Sequence, residues 1–351
     1  MLGLHARTSH AVPITIDGSV GEGGGQILRT ALGLSLVSGR PFRMENIRKK
    51  RSRAGLLRQH ATAVAAAAAI GDARVVGGEV GSETLGFRPG AIAHGRFAFA
   101  VGTAGSTTLV LHAVLPALLV TEGESELVLE GGTDASSAPP FDHLDAVYVP
   151  LLRSLGVDAG ATLGRRGFYP AGGGRFTFRV RGGELEPFEL ETRGELLGID
   201  VVARLGGGLA RRIAEKELAI VGERLGLARA AMRVEDVDSL GPGNTLSATL
   251  RFEHATEVFT SFGAKNASSE HVAKELAADV QEFLAYDVPV SEHTADQLVL
   301  LLALAGGGSF VTVPPTEHTR TQAALIPAFL DVDVRIEPHE RGTRISVERR
   351  G

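Results

Sequence analysis

Two rhythms of apolar residues alternate along the chain. Short β-branched runs give way to longer Ala- and Leu-rich stretches in which apolar positions return every three or four residues. That alternation predicts an α/β (α+β) chain. Ile14 to Asp17 reads as a strand, Gly18 to Gly25 as a glycine-rich turn, and Gln26 to Ser38 as a helix with Leu28, Ala31, Leu32 and Leu36 on one face. Arg58 to Ile70 reads as a second helix, whose many alanines suit close packing on a sheet. Phe97 to Val101 is a predicted strand, followed by the turn Gly102 to Ser106 and an apolar helix from Thr107. Leu127 to Glu130 returns as a strand, and a helix over Leu144 to Leu155 follows the turn Gly131 to Pro140.

Strand, glycine turn and helix thus recur at Gly21 and at Gly102, with a fainter third instance near the end. There a helix over Glu292 to Leu304 is closed by Gly306 to Gly308, and a strand over Phe310 to Val313 leads to a helix after Pro315. Three repeated βα-sheet units are expected to form the main domain, residues 1–186 and 288–351. The segment 187–287 has a different texture. Its strands at Phe188 to Thr192 and Ile199 to Leu205, a helix over Leu209 to Leu225, strands near Met232, Leu246 and Val258, and a helix over Ser269 to Tyr286 read as a smaller inserted α+β domain. It is expected to fold as a unit of its own and to be peripheral.

Composition narrows the chemistry. The chain has no cysteine, which removes disulfides, thiolate zinc sites and cysteine nucleophiles and suits a reducing, cytoplasmic setting. Glycine is abundant, 45 of 351 residues, which points to many tight turns. The formal charge of −5 excludes nucleic-acid binding through a global positive field but not through a local patch. No stretch approaches the ~20 apolar residues that span a bilayer, so no membrane contact is expected. The first thirteen residues lack a secretory apolar core.

Four segments carry candidate chemistry. Gly21 to Gln26, with Glu22 inside it, is either a tight turn with a solvated carboxylate or a phosphate cradle at a helix start, where Glu22 would call for a divalent cation (Mg or Mn). Arg48, Lys49, Lys50, Arg51, Arg53 and Arg58 form a basic run without an acid, suited to solvent or to a phosphate backbone. Arg166 to Gly174 ends in three consecutive glycines, a structural turn on composition alone. Finally, Pro314-Pro315-Thr316 stops a strand and caps a helix whose first turn carries His318. A histidine there is either structural, a metal ligand or a nucleophile.

These motifs occur together with Gly55 to His60, Gly131 to Asp134, Ala138 to Pro140, Gly241 to Thr245 and Ala295 to Leu298. In this order they resemble the RNA 3′-terminal phosphate cyclases from about Ile14 to Val347. The resemblance implies three βα repeats similar to the halves of enolpyruvyl transferases, with a small domain inserted. It also implies ATP-dependent conversion of an RNA 3′-phosphate to a 2′,3′-cyclic phosphate, with a divalent cation and a covalent histidine–AMP intermediate. His318, in His-Thr-Arg-Thr-Gln, falls where the family places its nucleophile, and Glu22 where it places a metal-binding carboxylate.

By the same resemblance, Arg29, Arg48, Arg51 and Gln59 match positions around the phosphates. Pro139 and His293 match residues that sandwich adenine, with Asp296 and Gln297 beside the nucleoside. His112 and His293 depart from a relative that has Gln and Tyr there. Two other readings remain at this stage: a non-catalytic ribosome-assembly scaffold on the same fold, and an enolpyruvyl transferase. The sequence leaves the oligomeric state open.

Overall fold

The computed structural model describes residues 11–21 and 23–351. The first unit runs β1 (Ile14–Asp17), α1 (Gln26–Ser38), β2 (Phe42–Glu45), α2 (Arg58–Ile70), β3 (Arg74–Val76), β4 (Leu85–Arg88). β1 and β2 are parallel; β4 then pairs antiparallel with both β2 and β3. The second unit repeats this with β5 (Gly95–Ala100), α3 (Thr107–Val120), β6 (Gly123–Gly131), a helical run, β7 (Asp158–Arg165) and β8 (Gly174–Gly182). The helical run comprises α4 (Phe141–His143), a π-helical turn at Leu144–Tyr148 and α5 (Val149–Ser154).

The third unit corrects the expected boundary. The strand β9 (Phe188–Leu190), assigned by sequence to the insert that starts at 187, pairs in parallel with Gly308–Phe310. It is the first strand of the third repeat. The chain then leaves the repeat through β10 (Leu196–Gly206), α6 (Arg212–Leu225), β11 (Met232–Val237), β12 (Gly243–Phe252), β13 (Thr256–Phe262) and α7 (Ser269–Ala285). It returns through α8 (Glu292–Ala305), β14 (Gly307–Thr312), α9 (Glu317–Leu325), β15 (Val332–His339) and β16 (Gly342–Arg349). The third sheet, β15-β16-β14-β9, has the same order and strand directions as the first two.

Helices from different repeats pack on one another, and α3 lies among them against α1, α2 and α8. Nearly every residue of α3 is buried, as expected of a helix apolar on all sides. The inserted sheet keeps a second core, in which Val201, Leu246, Leu250, Val272, Leu276 and Val280 close its strands under α6 and α7. Among the described residues no helix is long and apolar enough to cross a membrane.

Candidate active site

The first βα turn is pressed between other parts of the fold. Gly21 has φ of 62°, and a Cβ there would stand 2.2 Å from Thr321 Oγ1 of α9. Gly25 begins α1, which has no side-chain cap. A Cβ on Gly25 would fall 2.2 Å from His60 Nε2 and 2.9 Å from Arg29 Nη1. Backbone N–H groups, an imidazole and a guanidinium therefore meet at one point, an arrangement suited to an anion.

A cavity of about 760 Å³ opens here and is lined by Arg29, Arg48, Arg51, Gln59, His112, Pro139, His293, Asp296, Gln297 and His318, the site candidates named from sequence. Glu22 lies outside the described residues. Burial lowers the Arg29 guanidinium to about 10, and among the described residues no carboxylate pairs with it. Arg48 sits in left-handed backbone (φ 57°), uncommon for a residue other than glycine, and its buried Nε has no partner among the described residues. Burial and then the neighbouring Arg51 charge lower its pKa.

Three histidines in this cavity are held neutral. Burial, then the charges of Arg29 and Arg48, push His60 down to about 3. Its Nδ1 accepts from the Leu57 N–H at 3.1 Å, so Nε2 carries the proton and faces Gly25. His112, also lowered to about 3 by burial and Arg29, leaves a buried Nε2 without partner among the described residues and packs against Tyr148, ring centroids 4.9 Å apart. His143, lowered to about 3 mainly by burial, meets Thr294 Oγ1 at 3.2 Å.

Sequence reasoning passed over His60 and His143. His60 shared the buried face of α2 with Ala63, Val64 and Ala67, a spacing that could have marked it. His143 stands where the helix turns π-helical, which no periodicity announces.

Two candidates are partly committed to the protein itself. Gln59 Oε1 accepts from the Ser106 N–H at 3.0 Å and so ties α2 to the cap of α3, leaving its amide NH₂ for the cavity. Asp296 Oδ1 accepts from Thr316 Oγ1 at 2.8 Å and Thr319 Oγ1 at 2.5 Å. Burial raises the Asp296 pKa, opposed by those two hydroxyls and by the charges of His318 and His293. Thr316 is the cap of α9: its Oγ1 accepts from the N–H of His318 and of Thr319, each at 3.1 Å. Gln297 donates to the His293 carbonyl, and its buried Oε1 has no partner among the described residues. His293 is well exposed, and the Pro139 carbonyl accepts from Thr108 at 2.7 Å.

The insert is not peripheral to this cavity. Val258, Thr260 and Phe262 of β13 and Asp279 of α7 complete its wall. The buried Arg166 of the glycine-ended motif bonds Asp134 and Asp142, each at 2.6 Å, at the two ends of the loop that holds Pro139. Among the described residues no group of three or more His, Asp or Glu side chains is arranged to hold a metal.

Neutral imidazoles, a buried guanidinium and a glycine turn around one cavity are chemistry suited to an enzyme of phosphate-bearing substrates. The chain belongs to the RNA 3′-terminal phosphate cyclase family, whose model matches residues 20–336. It is 49% identical to the RNA 3′-terminal phosphate cyclase of Koribacter versatilis over 339 residues, covering 96% of this chain and 95% of that protein. It is 45% identical to the cyclase of Pseudomonas fluorescens over 326 residues, covering 93% and 94% of the two chains. The cyclase of Ralstonia nicotianae is 44% identical over 350 residues, with 98% and 99% covered. The chain is thus an enzyme of the ligase class.

Proposed function

We propose that the protein uses ATP to convert an RNA 3′-terminal phosphate to a 2′,3′-cyclic phosphate, with His318 as a transient AMP carrier. The observation that carries this reading is the convergence of His318, in the capped first turn of α9, with Arg29, Arg48, Arg51 and the glycine turn on one cavity. An uncharged ring nitrogen of His318 attacks the α-phosphorus; the bond to the bridging oxygen breaks and pyrophosphate leaves. Arg29, Arg48 and Arg51 would hold its charge, with the His60 Nε2–H as a further donor. Glu22 would hold a divalent cation, whose charge would add to that of the arginines.

AMP next passes from His318 to an oxygen of the RNA 3′-phosphate. The neighbouring 2′-hydroxyl then attacks that phosphorus, loses its proton, and AMP leaves. This ring closure is intramolecular and gains from pre-organisation. Pro139 and His293 would flank the adenine, with Asp296 and Gln297 nearby. The segment 196–286 forms an appended unit with its own core, and the absence of cysteine suits a cytoplasmic setting. A scaffold role without chemistry is not favoured, because His318 and its cavity are both present.

The test is incubation with α-labelled ATP, followed by a 3′-phosphorylated oligoribonucleotide. Label should stay on the protein as an acid-labile, base-stable adduct and leave on the chase. His318→Ala should remove the adduct and cyclisation while the protein stays folded. Label persisting on His318→Ala would move the nucleophile elsewhere.

A further inference from the structure

We propose that Glu257, a residue of the inserted unit, is a positioning residue that sets the nucleophile's helix through α8. The proposal rests on the reading of His318 as nucleophile. Glu257 is 1% exposed and does not line the cavity, although its neighbours Val258 and Thr260 do. Its Oε1 accepts from the Ser291 N–H at 2.8 Å, and its Oε2 accepts from Ser291 Oγ and Thr294 Oγ1, each at 2.8 Å. Ser291 is itself the cap of α8. The insert therefore places a carboxyl group, accepting three hydrogen bonds, at the N-terminal end of a helix belonging to the third repeat.

From there the contacts run to the nucleophile. The first turns of α8 present His293, Asp296 and Gln297 to the cavity. Asp296 receives Thr316 Oγ1 and Thr319 Oγ1, and Thr316 Oγ1 in turn receives the N–H of His318. Thr294 spends its proton on Glu257, so its oxygen accepts from His143 Nε2 at 3.2 Å. The second repeat is thereby held to the same junction. Glu257, Ser291 and Thr294, α8, Asp296, Thr316 and His318 form one continuous support. A local cap would affect stability alone; this arrangement also sets where the imidazole lies, and an error of an ångström there can cost about a hundredfold in rate.

The experiment compares the parent protein with Glu257→Gln, which keeps the shape and one acceptor but puts an NH₂ donor where the other acceptor stood. Adduct formation from α-labelled ATP is followed at saturating ATP, together with thermal unfolding. The expected result is a folded protein whose maximal adduct rate falls about tenfold or more, with the loss persisting well below its melting temperature. Should Glu257→Gln fail to fold, Thr294→Val and Ser291→Ala each remove one side-chain bond to Glu257, the first also the His143 contact and the second also the α8 cap, and a rate loss common to both is read the same way. A folded variant that labels at the parental rate, or whose deficit vanishes on cooling, overturns the proposal. His318→Ala run in parallel separates the two ideas: its continued labelling would defeat the nucleophile reading, whatever Glu257 does.

Discussion

Arg204 of the inserted sheet donates to Asp142 of the second repeat at 2.6 Å, across the junction of the two cores. Asp142 is shared with Arg166, and Arg204 also holds Glu235 at 2.8 Å. Charges of alternating sign thus run from β11, through the insert, to the loop that bears Pro139.

Arg166 is the buried centre of that chain, and its removal would leave Asp134 and Asp142 without their shared partner. Arg166→Met should lower stability by about 3–5 kcal/mol, read by chemical denaturation. Arg166→Lys should recover little, because a single ammonium cannot reach two carboxylates as a planar fork does.

Gly25→Ala tests the crowding at the start of α1. Gly25 has ordinary helical backbone (φ −82°), so alanine brings no backbone strain. Its methyl would overlap His60 Nε2 and press on Arg29. Adduct formation should fall at least about tenfold, by analogy with a displaced charge-stabilising donor, while the melting temperature changes little. Parental activity would show that this contact is not used.

His293→Ala should raise the ATP concentration needed for half-maximal adduct formation, and leave the rate at saturating ATP nearly unchanged. A ring that stacks on adenine contributes binding and not bond-making. The side chain is 65% exposed, so the fold should not respond.

Glu217 provides a pH signature. Burial raises its carboxyl from 4.5 to about 8, where Asn244 Nδ2 contacts both of its oxygens at 3.0 and 2.9 Å. A raised folded value means the native state holds a proton that the unfolded chain has released. The associated stability is present below pH 4.5 and is lost as pH rises through about 8, at about 1.4 kcal/mol per unit between the two values. Unfolding of Glu217→Gln should show a flatter decline over that window. Parallel curves for the two proteins would refute the assignment.

Much of the architecture is written locally. Helices α1 and α2 follow from apolar positions at helical spacing between glycine and proline punctuation, and their ends match the expectation. The third repeat resisted the same reading because strand pairing is not local. β9 is three residues long and meets its partner β14 only after the whole inserted unit has been passed. Nothing within Phe-Glu-Leu announces which sheet it will join.

The site divides along the same line. The basic run and the glycine turn were legible as segments suited to phosphate from their residue types, whereas His318 stood out through the resemblance of its motif to the family's. The roles of His60, His143 and Glu257 were not. A neutral imidazole, or a carboxylate that caps a helix from another unit, is defined by burial and by donors brought from distant segments. The sequence by itself determined the repeats, the helix carrying His318 and the supply of cations. Tertiary structure alone decided which polar atoms lose their water and which partners replace it, because desolvation is a property of the surroundings rather than of the residue.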